Sequence, residues 1–325
     1  VGMIMREWMF MNMTDIWGDI PYSEALTGTS EGGTITPEYD PQADVYAGIL
    51  ANLTAASGMI NSSEPLFPDV FRGTVDNPDL IYQGETGRWQ AFANSLRLRA
   101  AMRLAEVNPG TAGAEATAAI NAGVFTSNAD DAMLPYPGVP PNENPMAPAF
   151  RSRPGDYRIS EALVNELSAL NDPRLPIYAD PNRDGEYVGM PNGLVEEHGI
   201  AFEAVSRVGE WFLEPDQPAW IMSYAEVLLL QAEAAQRGFA GGSAADLYEA
   251  GIRASMETFG ISSGEIDAYL AQPEVAYDPA QGLAQIGVQM WIALYDQGPE
   301  AYAYWRRTGY PRLAPGRDNL NNGLI

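Results

Sequence analysis

Helix starts and helix stops follow one another along this sequence so closely that little of it is left for sheet. Asp40 places an N-cap before Pro41 and opens a helix to about Met59. From Trp89 to Ala105, the residues Phe92, Leu96, Ala100 and Leu104 recur at helical spacing, with Arg97, Arg99 and Arg103 off that stripe. Ser160 starts a helix over Glu161–Leu170, which Asn171-Asp172-Pro173 ends. Ile221, Ala225, Leu228, Ala232 and Ala235 form an apolar stripe through Trp220–Arg237, stopped at Gly238. After the Gly241-Gly242 turn, Ser243 with Asp246 reads as a capping box for a helix to Phe259, and Ser262 with Glu265 repeats the device. Asp278-Pro279 opens a further helix that ends at Gly298, and Pro299 sits in the first turn of the last one, which ends near Gly309-Tyr310-Pro311. Alternating apolar strands are scarce, so the expected fold class is mostly α. The Ala-rich stretch Ala225–Gly251 with Tyr248 has tetratricopeptide-like spacing, the mark of a helical-repeat scaffold. Two stretches escape this punctuation, about 130–158 and 176–218, and both read as long irregular loops.

Composition narrows what such a scaffold does. Asp and Glu number 43 against 18 basic residues, a net charge of −25, and every basic residue is arginine. That balance argues against nucleic acid and anionic lipid, which need a positive surface. A carboxylate excess in a lysine-free chain also fits adaptation to high salt; GC-rich coding explains the missing lysine but not the acids. With no cysteine, disulfides, thiolate nucleophiles and Cys-based zinc sites are excluded. The one histidine, His198, lies in a Glu-Glu-His-Gly loop and reads as solvated. No P-loop, dinucleotide-binding glycine motif or nucleophile elbow occurs, and no pair of carboxylates stands out for glycoside hydrolysis. The longest aliphatic run, Val227–Leu230, is far short of a membrane span.

Several segments together resemble the SusD/RagB family of outer-membrane nutrient-binding lipoproteins, in its SusD-like branch. They are Trp17–Ala25 (WGDIPYSEA), Tyr39–Gln42 with Val45-Tyr46, Trp89–Arg103 (WQAFANSLRLRAAMR) and Asn171–Pro176 (NDPRLP). Ser223–Gly238, Tyr248–Ser255 (YEAGIRAS) and Trp305–Pro311 (WRRTGYP) continue the series in the family's order. The resemblance implies an α-helical fold with tetratricopeptide-like units, in one domain over residues 1–325. It also implies non-enzymatic capture of an oligosaccharide or related polymer at the cell surface, and delivery to a SusC-like TonB-dependent transporter. A lipid anchor in the outer membrane is part of that expectation. The lipobox cysteine, the family's first helices and its C-terminal tail have no counterpart between Val1 and Ile325, so both ends are expected to be trimmed.

The two loop stretches are where a ligand is expected, because rigid scaffolds carry their binding residues on loops. They are expected to meet on one face and offer Tyr136, Asn144, Arg151, Arg153, Tyr157, Trp211 and Phe212, flat apolar rings beside polar forks suited to sugars. The competing reading is that these rings pin loops to the scaffold. Asp180, Asn182, Asp184 and Glu186, with Gly185 at the turn, form the first half of a calcium loop, though Pro191 stands where the closing Glu belongs. A structural calcium is therefore expected there, against an ordinary Asp/Asn/Gly turn; no cofactor is required. Trp89, Trp220, Trp291 and Trp305 read as core, and Met3, Met5, Met9, Met11 and Met13 as gap-fillers along a packed helix rather than a soft-metal cluster. Two alternative functions stay open at this stage: a scaffold for a peptide or protein partner, and a glycoside-active enzyme.

Overall fold

The computed structural model describes residues 1–67, 77–196 and 199–320. His198 lies outside the described residues. Twelve α-helices dominate the described residues, as the punctuation requires. Four come first: α1 Gly2–Trp17, α2 Gln42–Met59, α3 Thr86–Arg103 and α4 Pro109–Ala122. Each packs on the next, α1 on α2, α2 on α3 and α3 on α4. The fourth was not expected from the sequence, although its signal is present: Asn108 caps Thr111 N–H at 3.3 Å with Pro109 in the first turn.

Five more helices close the chain: α8 Tyr224–Gln236, α9 Ala244–Thr258, α10 Ser263–Leu270, α11 Gly282–Ala293 and α12 Gly298–Thr308. The α8–α9 hairpin is the tetratricopeptide-like unit, and α11 lies against α8. Gly251 of α9 permits that approach, since a Cβ there would stand 2.7 Å from Leu229 Cγ. The two helical runs join through α3 on α8 and α1 on α12, and one core runs through both.

Between the runs lie the smaller elements: β1 Ala132–Leu134, α5 Met146–Ser152, α6 Glu161–Ala169, α7 Leu175–Tyr178, β2 Ala179–Asp180, β3 Arg207–Val208 and β4 Ala219–Met222. A second core of Ile159, Leu163, Val164, Leu167, Tyr178, Phe212 and Ile292 anchors this region to α11.

Five local expectations are corrected. Asp40 is not an N-cap: Pro41 holds that position, and the Asp40 carboxylate accepts instead from Tyr22 and Ser23 N–H at 2.9 and 2.8 Å. Trp220–Met222 is strand rather than helix, pairing antiparallel with Ala132–Leu134. The helix begins after it because Ser223 is the N-cap, at φ −106° and ψ 156°, and an N-cap takes non-helical dihedrals. Asp278 does not start a helix; its carboxylate accepts from Ala280 N–H in a tight turn, and α11 runs from Gly282 only to Ala293, short of Gly298. At Ser243 only half of the capping box forms, whereas Ser262 and Glu265 close both halves. Of the rings and methionines assigned to the core, Trp89 and Met11 are deeply buried, Trp220, Trp291 and Trp305 are half-buried, and Met9 is exposed.

Arginine does the internal cross-linking. Arg99 of α3 forms a bidentate pair with Glu226 of α8, both contacts 2.6 Å, and donates to the Ile221 carbonyl. Arg103 joins Asp15 of α1 at 3.2 Å and Glu300 of α12 at 2.5 Å. Glu233 receives both Nη atoms of Arg307 at 2.5 and 2.7 Å, with Arg237 at 2.8 Å. Burial acts to raise the Glu233 pKa, yet the Arg307 and Arg237 guanidiniums hold it below the usual carboxylate value.

Candidate functional site

The two long stretches do meet. The β1–β4 pair ties the start of one to the end of the other. Asn144 works as a strap: its backbone N–H donates to Pro215 O at 2.8 Å, its Nδ2 to Gln217 O at 2.9 Å, and its Oδ1 accepts from Met146 N–H. Ile159 N–H donates to Ser206 O, and α5 lies on the 3₁₀ turn Glu210–Leu213. Gly209 lets that turn sit flat on α7, because a Cβ would fall 1.9 Å from Ile177 O.

Of the seven ligand-facing residues expected from sequence, the geometry keeps some and removes others. Tyr136, Tyr157 and Trp211 are half-buried on the loops. Arg151 is bound to Glu143 at 2.8 Å and Arg153 to Asp156 at 2.5 Å, both with exposed guanidinium stems. Two are corrected. Asn144 is buried, with its amide and carbonyl spent on the strap. Phe212 is only 6 % exposed, edge-on to Tyr178 and Tyr295 with ring centres 5.5 and 4.7 Å away. The crevice beside it, shared with Trp220 and Ser255, holds about 20 Å³, room for no more than a water molecule. Trp211 covers this cluster, 4.7 Å from Phe212 and 5.0 Å from Phe259.

Sequence reasoning missed one part of the face. Arg158 and Arg207 bridge their backbones, and each guanidinium lies on a ring: Arg158 on Phe202 at 5.4 Å, Arg207 on Phe150 at 5.6 Å. Phe202 is 41 % exposed. Burial and the adjacent Arg207 lower the Arg158 pKa from its ordinary value, with Glu203 opposing. Arg158 also donates to the carbonyls of Phe202, Pro154 and Tyr157, which fixes the plane of its fork. The available signal was the pairing of an aromatic residue with an arginine in each loop, Phe150 with Arg158 in the first and Phe202 with Arg207 in the second. Two rings and two guanidinium planes, edged by carboxylates, can stack on sugar rings and fork to hydroxyls.

At the expected calcium loop three of the four side chains are already engaged. Asn182 Oδ1 accepts from Asp184 and Glu186 N–H at 3.0 and 2.9 Å. Asp180 pairs with Arg207 at 2.5 Å and accepts from Glu210 N–H at 3.3 Å. Asp184 faces Arg183 at 3.5 Å. Among the described residues no group of three or more Asp, Glu or His is placed to hold a metal ion. The same residues form a self-bonded Asx turn. No helix among them is long and apolar enough to cross a membrane.

Comparison with known proteins adds an independent line. Residues 1–325 match the model of the family SusD-like_2, described as starch-binding and associating with the outer membrane. A solved structure described as a chitin-binding protein is 34% identical over 99% of this chain and 71% of its own, with a TM-score of 0.84. A SusD homolog from Bacteroides uniformis is 30% identical over the same shares, with a TM-score of 0.83. A chitin-binding SusD homolog from Flavobacterium johnsoniae is 30% identical over 96% of this chain and 68% of its own, with a TM-score of 0.78. No curated protein matches.

Proposed function

Because the chain belongs to the SusD-like family over its whole length, we propose that it captures an oligosaccharide or related polymeric nutrient at an outer-membrane surface without breaking a bond. In this reading it passes the ligand to a SusC-like TonB-dependent transporter. The observation that carries it is the face built from the two loop stretches, where Arg158 lies over Phe202 and Arg207 over Phe150 beside the helical body. Sugar rings present apolar faces to such planes and hydroxyls to the carboxylates and forks around them. Capture and hand-over need no general acid, and no residue of the face is given a catalytic role. Outer-membrane attachment and the transporter partnership belong to the same proposal, and the similar chitin-binding structures make chitin oligomers the first ligands to try.

The test is calorimetry with maltooligosaccharides and chitooligosaccharides on wild type and on Phe202→Ala, Tyr157→Ala and Trp211→Ala. At least tenfold weaker binding by Phe202→Ala and Tyr157→Ala at unchanged melting temperature supports the assignment. Unchanged affinity moves the site off this face. Release of reducing sugar from either polymer would replace capture by hydrolysis.

A further inference from the structure

A groove of about 760 Å³ lies between α1, α2, the α3–α4 turn and α12, and neither loop stretch contributes to it. Its volume is that of a small-molecule site. Ala43, Ala47 and Leu50 give it an apolar wall along α2. The other wall is arginine: Arg103 from α3, Arg306 and Arg307 from α12.

The hydrogen-bond accounts of the two charge types differ. Each carboxylate on the lining is taken: Asp15 by Tyr46 Oη at 2.5 Å and Arg103 at 3.2 Å, Glu106 by Arg237 at 2.6 Å. The donors are not. Arg103 spends Nε on Asp15 and Nη2 on Glu300, which leaves Nη1 buried with no acceptor. Arg307 spends both Nη atoms on Glu233, and its Nε is likewise buried without one. Among the described residues Arg306 meets no carboxylate; its Nη1 donates to the Asp15 carbonyl at 3.1 Å and its plane lies over Tyr302 at 5.5 Å. Buried donors without acceptors are rare in native proteins. Guanidiniums left with open N–H groups select oxyanion acceptors, carboxylates among them.

We propose that this groove is a second binding site, separate from the loop face, for a small ligand that places a carboxylate on the exposed Arg306 guanidinium and an apolar body on the α2 wall. A sugar acid and a peptide C-terminus both offer that chemistry, so the experiment separates them. Wild-type chain is titrated calorimetrically at low salt with trigalacturonate, with trialanine bearing a free C-terminus, and with neutral maltotriose. Arg306→Gln removes the exposed guanidinium, and Ala47→Trp fills the groove from the opposite wall; melting temperature reports that both fold. The expected result is binding of one carboxylate probe, weakened about tenfold or more by each variant and by added salt, while any maltotriose binding is unmoved. Trigalacturonate alone identifies a sugar acid, and trialanine alone a peptide. Failure of both carboxylate probes, or binding that neither variant changes, overturns the proposal. Because the loop face is untouched by these variants, its own test is decided separately.

Discussion

Asp131 shows what burial does to a single carboxylate. It is 4 % exposed at the head of β1 and accepts from Tyr224 N–H at 2.6 Å. Burial, opposed by that hydrogen bond and reinforced by Asp130, pushes its pKa up from 3.8 to about 7. The folded chain therefore holds a proton that the unfolded chain has released, and stability falls as pH rises between these two values. Asp131→Asn keeps an acceptor for Tyr224 and cannot ionise. It should match wild type near pH 4 and exceed it at pH 8 by on the order of 2–4 kcal/mol, read by urea unfolding at the two pH values. Equal pH slopes in both proteins would return Asp131 to an ordinary value. Phe212 and Phe202 make the complementary contrast between two rings close in sequence. Phe212→Ala empties a packed cluster and should cost roughly 3–5 kcal/mol, whereas Phe202→Ala should leave the unfolding midpoint near wild type. The Asp180–Glu186 turn should behave as a turn, with the same melting temperature in millimolar calcium and in chelator. A rise in calcium would mean the Arg207 and backbone contacts yield to the ion.

Among the elements, α8 is the one whose start decides the most. Ser223 Oγ accepts from Glu226 N–H at 3.2 Å, stops the helix from running back through Trp220, and frees Ala219–Met222 to pair with β1. Ser223→Ala should cost about 1 kcal/mol through the lost cap, measured by chemical denaturation. At the other side of the same helix, Gly251→Ala drives a methyl into Leu229 and should cost about 1–3 kcal/mol as overpacking. If that variant is neutral, α8 and α9 have room to part.

At the scale of the molecule, the surface is negative because 43 acids stand against 18 arginines. Arg99, Arg103, Arg174 and Arg307 bind their carboxylates in or under the helical body, which takes charges of both signs inside and leaves the acid excess of a chain with net charge −25 at the surface. The remaining acids repel one another across water, where salt screens them, while buried pairs are screened much less. Melting temperature should rise from low to molar sodium chloride. A flat or falling curve removes the reading of this composition as salt adaptation.

What was legible in the sequence is what short-range physics controls. Caps, proline first turns and glycine stops are decided within a few residues, so α3, α6, α9, α10 and α12 fall where the Phe92–Leu104 stripe, Ser160, Ser243, Ser262 and Pro299 place them, and α2 begins one residue after Pro41. The family's motifs lie in the same local stretches. The failures at Trp220–Met222, Phe212 and Asn144 share one cause, which is that a residue far away in the chain supplied the missing partner. Trp220–Met222 reads as helix until Ala132–Leu134 arrives beside it. Phe212 and Asn144 read as ligand contacts until α11 and Pro215 close over them. The planes of Arg158 and Arg207 exist only because Ser160 and α7 bring two loops to one place. Local hydrogen bonding determines where helices begin and end; which side chains remain at the surface was decided by packing between segments that no sequence window contains.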